Sequence, residues 1–133
     1  MNPTDPIPPI LAALPSHCVR PLATLPRAGL RALAAQAGDR LVDVALADCA
    51  TKDDAMAALA RAFAFPDWFG ANLDALYDAL TDLPSSSGGW LVVLDGLLVN
   101  GLDRDTRDAL LDVFRDAADD FADRGVSFRV FYA

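Results

Sequence analysis

Residues 90–94 read Trp-Leu-Val-Val-Leu, five apolar side chains without a break. Successive side chains of a strand point to opposite faces, so this segment offers apolar surface to both sides of a sheet. Such a strand belongs inside a parallel sheet with helices packed on it. Two other segments fit the same sheet. Leu41-Val-Asp-Val-Ala-Leu46 starts as an apolar and polar alternation. Val126 to Tyr132 sets Val126, Phe128 and Val130 on one face and Phe131 on the other.

Helices are predicted between these strands. Thr51-Lys-Asp-Asp54 has the form of a capping box, with Thr51 as N-cap and Asp54 at the third helical position. Met56, Leu59, Ala60 and Phe63 follow on one face, and Pro66 is expected to stop that helix. Gly70 offers the next turn a residue that tolerates positive φ, and Asn72 can cap the helix behind it. Leu73, Leu76, Ala79 and Leu80 then form an apolar stripe. Pro84 to Gly89 reads as an exposed loop. Asp105 to Arg124 reads as a long amphipathic helix with Leu110, Val113, Phe114, Ala117 and Phe121 inward, ended by Gly125. The order strand–helix–helix–strand–helix–strand predicts a small α/β domain over residues 39–133, a three-stranded parallel sheet with packed helices and right-handed crossovers.

Residues 1–38 differ. They hold seven of the nine prolines. We expect a proline-rich N-terminal extension, irregular over 1–15, with room for an edge strand at 17–22 and a helix at 27–37 capped by Gly38. Charge divides the same way. Arg20, Arg27 and Arg31 against Asp5 give the extension +2, while residues 39–133 set 18 Asp against eight Lys and Arg, or −10. The total is −8, and every acidic side chain is Asp. A chain this acidic repels a phosphate backbone, so direct nucleic-acid binding is not expected; a basic protein would be attracted.

The longest apolar runs fall short of the ~18 residues that cross a membrane, and the N-terminus lacks the pattern of a signal peptide. Cys18 and Cys49 are too few for a disulfide framework. The expectation is a cytoplasmic protein.

Chemistry-bearing patterns are sparse. His17 is the one histidine and lies in the extension; no glycine-rich phosphate loop follows a strand, and no pair has metal-ligand spacing. We expect no enzyme and no cofactor or metal. Asp95 is the exception to weigh, because it ends the buried strand where α/β proteins place ligands. With Asp48 it could form a magnesium-dependent site, an alternative reading against a plain loop cap at Gly96.

The informative pattern is Phe65-Pro-Asp-Trp-Phe-Gly-Ala-Asn-Leu-Asp-Ala-Leu-Tyr-Asp78. An ordinary helix accounts for Leu73 and Leu76. It does not account for Asp74 and Asp78, which repel each other one turn apart, or for Trp68 and Tyr77 beside them. Carboxylates next to aromatics suit the Arg and Lys side chains of a basic partner.

This segment closely resembles the signature of the barstar family, intracellular inhibitors of the ribonuclease barnase. The signature is Pro, an acidic residue, two aromatics, Gly, any residue, Asn-Leu-Asp-Ala-Leu, an aromatic and Asp. Residues 66–78 fill it without a gap. The resemblance runs from about Leu41 to Tyr132 and includes Val113-Phe-Arg-Asp-Ala117 in the last helix. It implies a non-enzymatic inhibitor that occludes the active site of a basic ribonuclease or ribonuclease toxin, one to one and as a monomer. It assigns Asp78 the place of the substrate phosphate and makes Asp74 a second interface acid. Trp68 becomes an interface aromatic, Gly70, Asn72, Leu73 and Tyr77 neighbouring contacts, and Asp116 a peripheral acid. Departures are visible too. Trp68 and Tyr77 stand where the family prototype has Tyr and Trp, Asp116 is one methylene shorter than the matching Glu, and the Ser-Gly loop at 85–89 is longer. A module of the same fold that docks another basic protein without inhibiting RNA cleavage is the remaining alternative.

Overall fold

Four strands form one parallel sheet: β1 (His17–Pro21), β2 (Arg40–Ala45), β3 (Trp90–Asp95) and β4 (Phe128–Tyr132), in the spatial order β1-β4-β3-β2. The computed structural model describes residues 9–67, 69–85 and 88–133. The sheet thus has four strands, not the three expected of residues 39–133, because β1 pairs with β4 along its whole length. Val19, Val130, Val92 and Val42 stand abreast across the register. β3 is buried from Trp90 to Leu94, as its unbroken apolar run requires.

The two faces are covered by different parts of the chain. Helices α3 (Lys52–Phe63), α4 (Leu73–Thr81) and α5 (Arg104–Asp123) pack Met56, Leu59, Leu76, Leu80, Phe114 and Phe121 against Val42, Val44, Val92 and Val130. Phe121 and Phe128 stack with centroids 4.7 Å apart. Helices α1 (Pro9–Ala12) and α2 (Arg27–Ala37) cover the opposite face, with Leu11, Leu30, Leu33 and Ala34 over Leu91, Val93 and Phe131. Residues 9–12 are therefore helical and not irregular. Leu11 is buried against the second face, which fixes the short turn that proline spacing alone would leave open.

Local signals set most boundaries. Thr51 and Asp54 form the reciprocal capping box, and the backbone N–H groups of Ala50 and Thr51, donating to the Asp54 carboxyl, hold it below the usual carboxylate range. Gly38 closes α2 at φ 73°. Two turns differ from expectation. α3 ends at Phe63, before Pro66, because Ala64 turns left-handed (φ 55°) and its N–H bonds back to Ala60 and Arg61. The positive φ of the next turn falls on Ala71 (52°) and not on Gly70. Asn72 must be extended to cap α4, so the reversal comes directly before it, and a side-chain carbon at Gly70 would meet Ala75 only at ordinary contact distance. In the 84–89 loop Gly89 is buried and its N–H donates to Asp39, while Ser86 and Ser87 lie outside the described residues.

A buried polar seam joins the first residues to the sheet. Arg129 Nε donates to the Pro15 carbonyl at 3.0 Å, and its Nη1 donates to Asp39 Oδ2 at 3.1 Å. The Asp39 side chain is only 3% exposed. Ser127 donates to both the Ser16 carbonyl and Asp39, and His17 Nε2 bonds the Val126 carbonyl at 2.7 Å. Cys18 and Cys49 are unpaired and buried, and burial pushes both thiols up. No helix among the described residues is long and apolar enough to cross a membrane.

Candidate functional site

α4 begins where Asn72 Oδ1 accepts the Ala75 N–H at 2.8 Å. The cap fixes the rotation of a nine-residue helix whose buried stripe is Leu76, Ala79 and Leu80. At 3.6 residues per turn, burial of that stripe turns Asp74 and Asp78 outward. Both are exposed. Leu73 and Tyr77 lie half-buried on the side facing α5.

Between α4 and α5 runs an open groove of about 720 Å³. Leu73, Tyr77 and Val113 give it an apolar floor. Asp74 and Asp78 stand on one wall, and Asp116, Asp119, Asp120 and Asp123 on the other. The α5 acids recur at the three- and four-residue intervals that align one face of a helix. Among the described residues only one of the six has a cation of its own. Arg124 meets Asp120 at 2.8 Å, donates to the Thr81 carbonyl at 3.0 Å and lies 4.3 Å over the Phe121 ring. Among the described residues, Asp74, Asp78, Asp116, Asp119 and Asp123 have no ion-pair partner. Five uncompensated carboxylates over an apolar floor form a face that accepts hydrogen bonds from cations and covers their stems with carbon.

Of the residues singled out by the sequence, Leu73, Asp74, Tyr77, Asp78 and Asp116 converge on this groove. Asn72 stands at its head as the α4 cap, and Gly70 is exposed in the turn before it. Trp68 lies outside the described residues. Val113, expected in the core, is half-buried and lines the groove. Sequence reasoning missed Asp119, Asp120 and Asp123. The signal for them was present, since they continue the Asp116 stripe along α5.

Asp95, the other candidate, is held by Arg27, whose Nη2 lies 3.0 Å from Oδ1. Among the described residues no three His, Cys or acidic side chains are grouped to hold a metal ion.

The fold and the face define an α/β protein with a concentrated acidic surface on one helix pair. Residues 40–133 match the family described as Barstar (barnase inhibitor). The chain belongs to the barstar family. No curated protein matches it in sequence. At the family level this points to inhibition of a barnase-type ribonuclease and away from enzymatic activity.

Proposed function

We propose that this protein inhibits a basic ribonuclease or ribonuclease toxin by filling its active site with the α4 ridge. Supporting this above all is the pair Asp74 and Asp78, outward, one turn apart and without an ion-pair partner among the described residues, within the stretch that matches the family. A site that cleaves RNA gathers cationic donors to hold a phosphate. A carboxylate offers the same donors two anionic oxygens, and Arg can grip it through two parallel hydrogen bonds. Asp78 takes the phosphate position and Asp74 a neighbouring cation. Tyr77, Leu73, Asn72, Gly70 and Trp68 shape the contact around them, and Asp116 adds an outlying charge from α5. Residues 39–133 are the binding unit and residues 1–38 its supporting extension. The protein acts in the cytoplasm, as a monomer and one to one.

Titrating barnase activity with the natural protein tests this. Inhibition should be complete at one equivalent, and Asp78→Ala should raise the inhibition constant by about 30- to 150-fold. RNA cleavage that continues undiminished at excess, or an Asp78→Ala protein that inhibits equally well, would overturn the proposal.

A further inference from the structure

α4 has a second flank. Asp78 stands on the crest of the helix, with Leu73, Asp74 and Tyr77 falling toward α5 and Ala79, Asp82 and Leu83 toward the other side. There the end of α3 and the start of β3 meet α4 around a depression of about 300 Å³. Three of its ten lining residues are aromatic. Phe63 and Phe65 stack with centroids 5.4 Å apart, and Phe63 meets Trp90 at 6.2 Å with the rings inclined by 50°. Trp90 Nε1 donates to the Pro84 carbonyl at 3.0 Å, so its polar atom is already satisfied; the residue itself is largely buried at the base of the depression. On the α4 side the lining residue is Ala79, a single methyl, and this small side chain leaves the space open. Charges of both signs stand at the rim: Arg40, whose guanidinium lies 5.1 Å over Trp90, and Asp82, one turn beyond Asp78.

We propose that this depression seats one aromatic or aliphatic side chain of the same nuclease and helps determine which nuclease fits. The inference rests on the functional reading above. Its physical basis is the shape of the ridge. A cleft that takes Asp78 at its centre has one wall over the acidic groove and the other over the aromatic depression. The first wall needs cations and the second an apolar projection. The depression is also continuous with the binding segment at both ends, since Asp82 extends the acidic edge and Pro66 leads into the turn before α4. Charge attracts any basic nuclease, but an apolar seat rejects one that lacks the matching side chain or presents a charge there.

Two measurements on the full chain test this. First, indole is titrated into the isotope-labelled protein. Saturable shifts at Ala79 and at the Trp90 ring are expected, absent in Ala79→Leu, where the new side chain occupies the space. No saturable shift, or shifts that persist in Ala79→Leu, would overturn the seat. Second, calorimetry against barnase compares the natural chain with Ala79→Leu and Asp78→Ala. Ala79→Leu should weaken the complex about tenfold or more, the weight of one buried apolar side chain. Ala79→Met, which fills the same space with a more adaptable side chain, carries the comparison if the leucine variant melts. Loss on Asp78→Ala with unchanged affinity in both Ala79 variants removes the depression alone. Indifference to Asp78→Ala, or no binding of the natural chain to barnase or to a panel of other basic ribonucleases, removes the functional reading and this inference with it.

Discussion

Two aspartates of this chain have opposite fates. Asp39, between α2 and β2, is almost wholly buried, and its carboxylate accepts from Arg129, Ser127 and the Gly89 N–H. Asp78, on α4, is exposed and faces a groove of other carboxylates, without a cation of its own among the described residues. The first is satisfied internally and ties the N-terminal segment to the sheet. The second is hydrated and, among the described residues, lacks a counter-charge, so a cationic partner can supply one. In an acidic chain, then, the charges that matter for folding are those with compensation, and the charges that matter for binding are those without.

The sharpest way to break this contrast is Asp39→Ala. It leaves the Arg129 guanidinium buried with no counter-charge, and the loss should be about 3–5 kcal/mol of folding free energy. Urea unfolding followed by circular dichroism reads it directly. A loss under about 1 kcal/mol would mean that the seam carries little. Once allowance is made for the unfolded fraction, nuclease affinity should not change.

Asp78→Ala should do the reverse. Stability should stay within about 0.5 kcal/mol of the natural chain, as for a surface substitution. The complex should lose about 2–3 kcal/mol, the weight of charge-assisted hydrogen bonds inside a desolvated contact. Paired unfolding and calorimetry on the same sample test both halves. A variant that melts early and binds normally would invert the roles of the two residues.

Asn72 stands between these extremes, since it caps α4 beside the acids. Asn72→Ala removes the acceptor of the Ala75 N–H and should cost about 1 kcal/mol of stability. Binding should suffer less than with Asp78→Ala, because the cap orients the helix and bears no charge. A larger effect on affinity than on melting would mark Asn72 as a direct contact.

Much of this was legible in the sequence where the physics is local. The β3 run announces a strand covered on both faces, and Thr51 with Asp54 and Asn72 announce their caps, because a cap needs only neighbours three residues away. The left-handed turns at Ala64 and Ala71 were not legible, because alanine has no preference for positive φ and is forced there by its neighbours in the turn. Nor was the fourth strand certain to join. His17–Pro21 has few apolar residues, and its place depends on partners more than 100 residues away, at Val126 and Phe128. The α4 wall of the groove was visible because its motif is contiguous. Of the α5 wall only Asp116 was picked out; Asp119, Asp120 and Asp123 continue its stripe, but a stripe of acids also fits a solvated face until helix packing sets them opposite Asp78. The aromatic depression was hidden for the same reason, with Phe63, Ala79 and Trp90 spread along the chain.

Asp116 gives the smallest predicted effect and the finest test of the contrast. It is exposed on α5, at the far wall of the groove, and no cation compensates it among the described residues. It therefore resembles Asp78 in being unpaired but differs in place, beside the ridge and not on its crest. A partner cation that reaches Asp116 stays in contact with water, and such pairs are worth about 1 kcal/mol or less. Asp116→Ala should therefore weaken the nuclease complex less than tenfold. Salt separates the two acids further. The screening length falls from about 10 Å at 0.1 M to about 3 Å at 1 M, so the solvated Asp116 contribution should vanish at the higher concentration. The Asp78 contribution, shielded from water in the cleft, should largely persist. Calorimetry of both variants at the two salt concentrations checks this. If the two losses were equal at low salt and faded together, position on the ridge would count for nothing, and the acidic face would act only as a diffuse field.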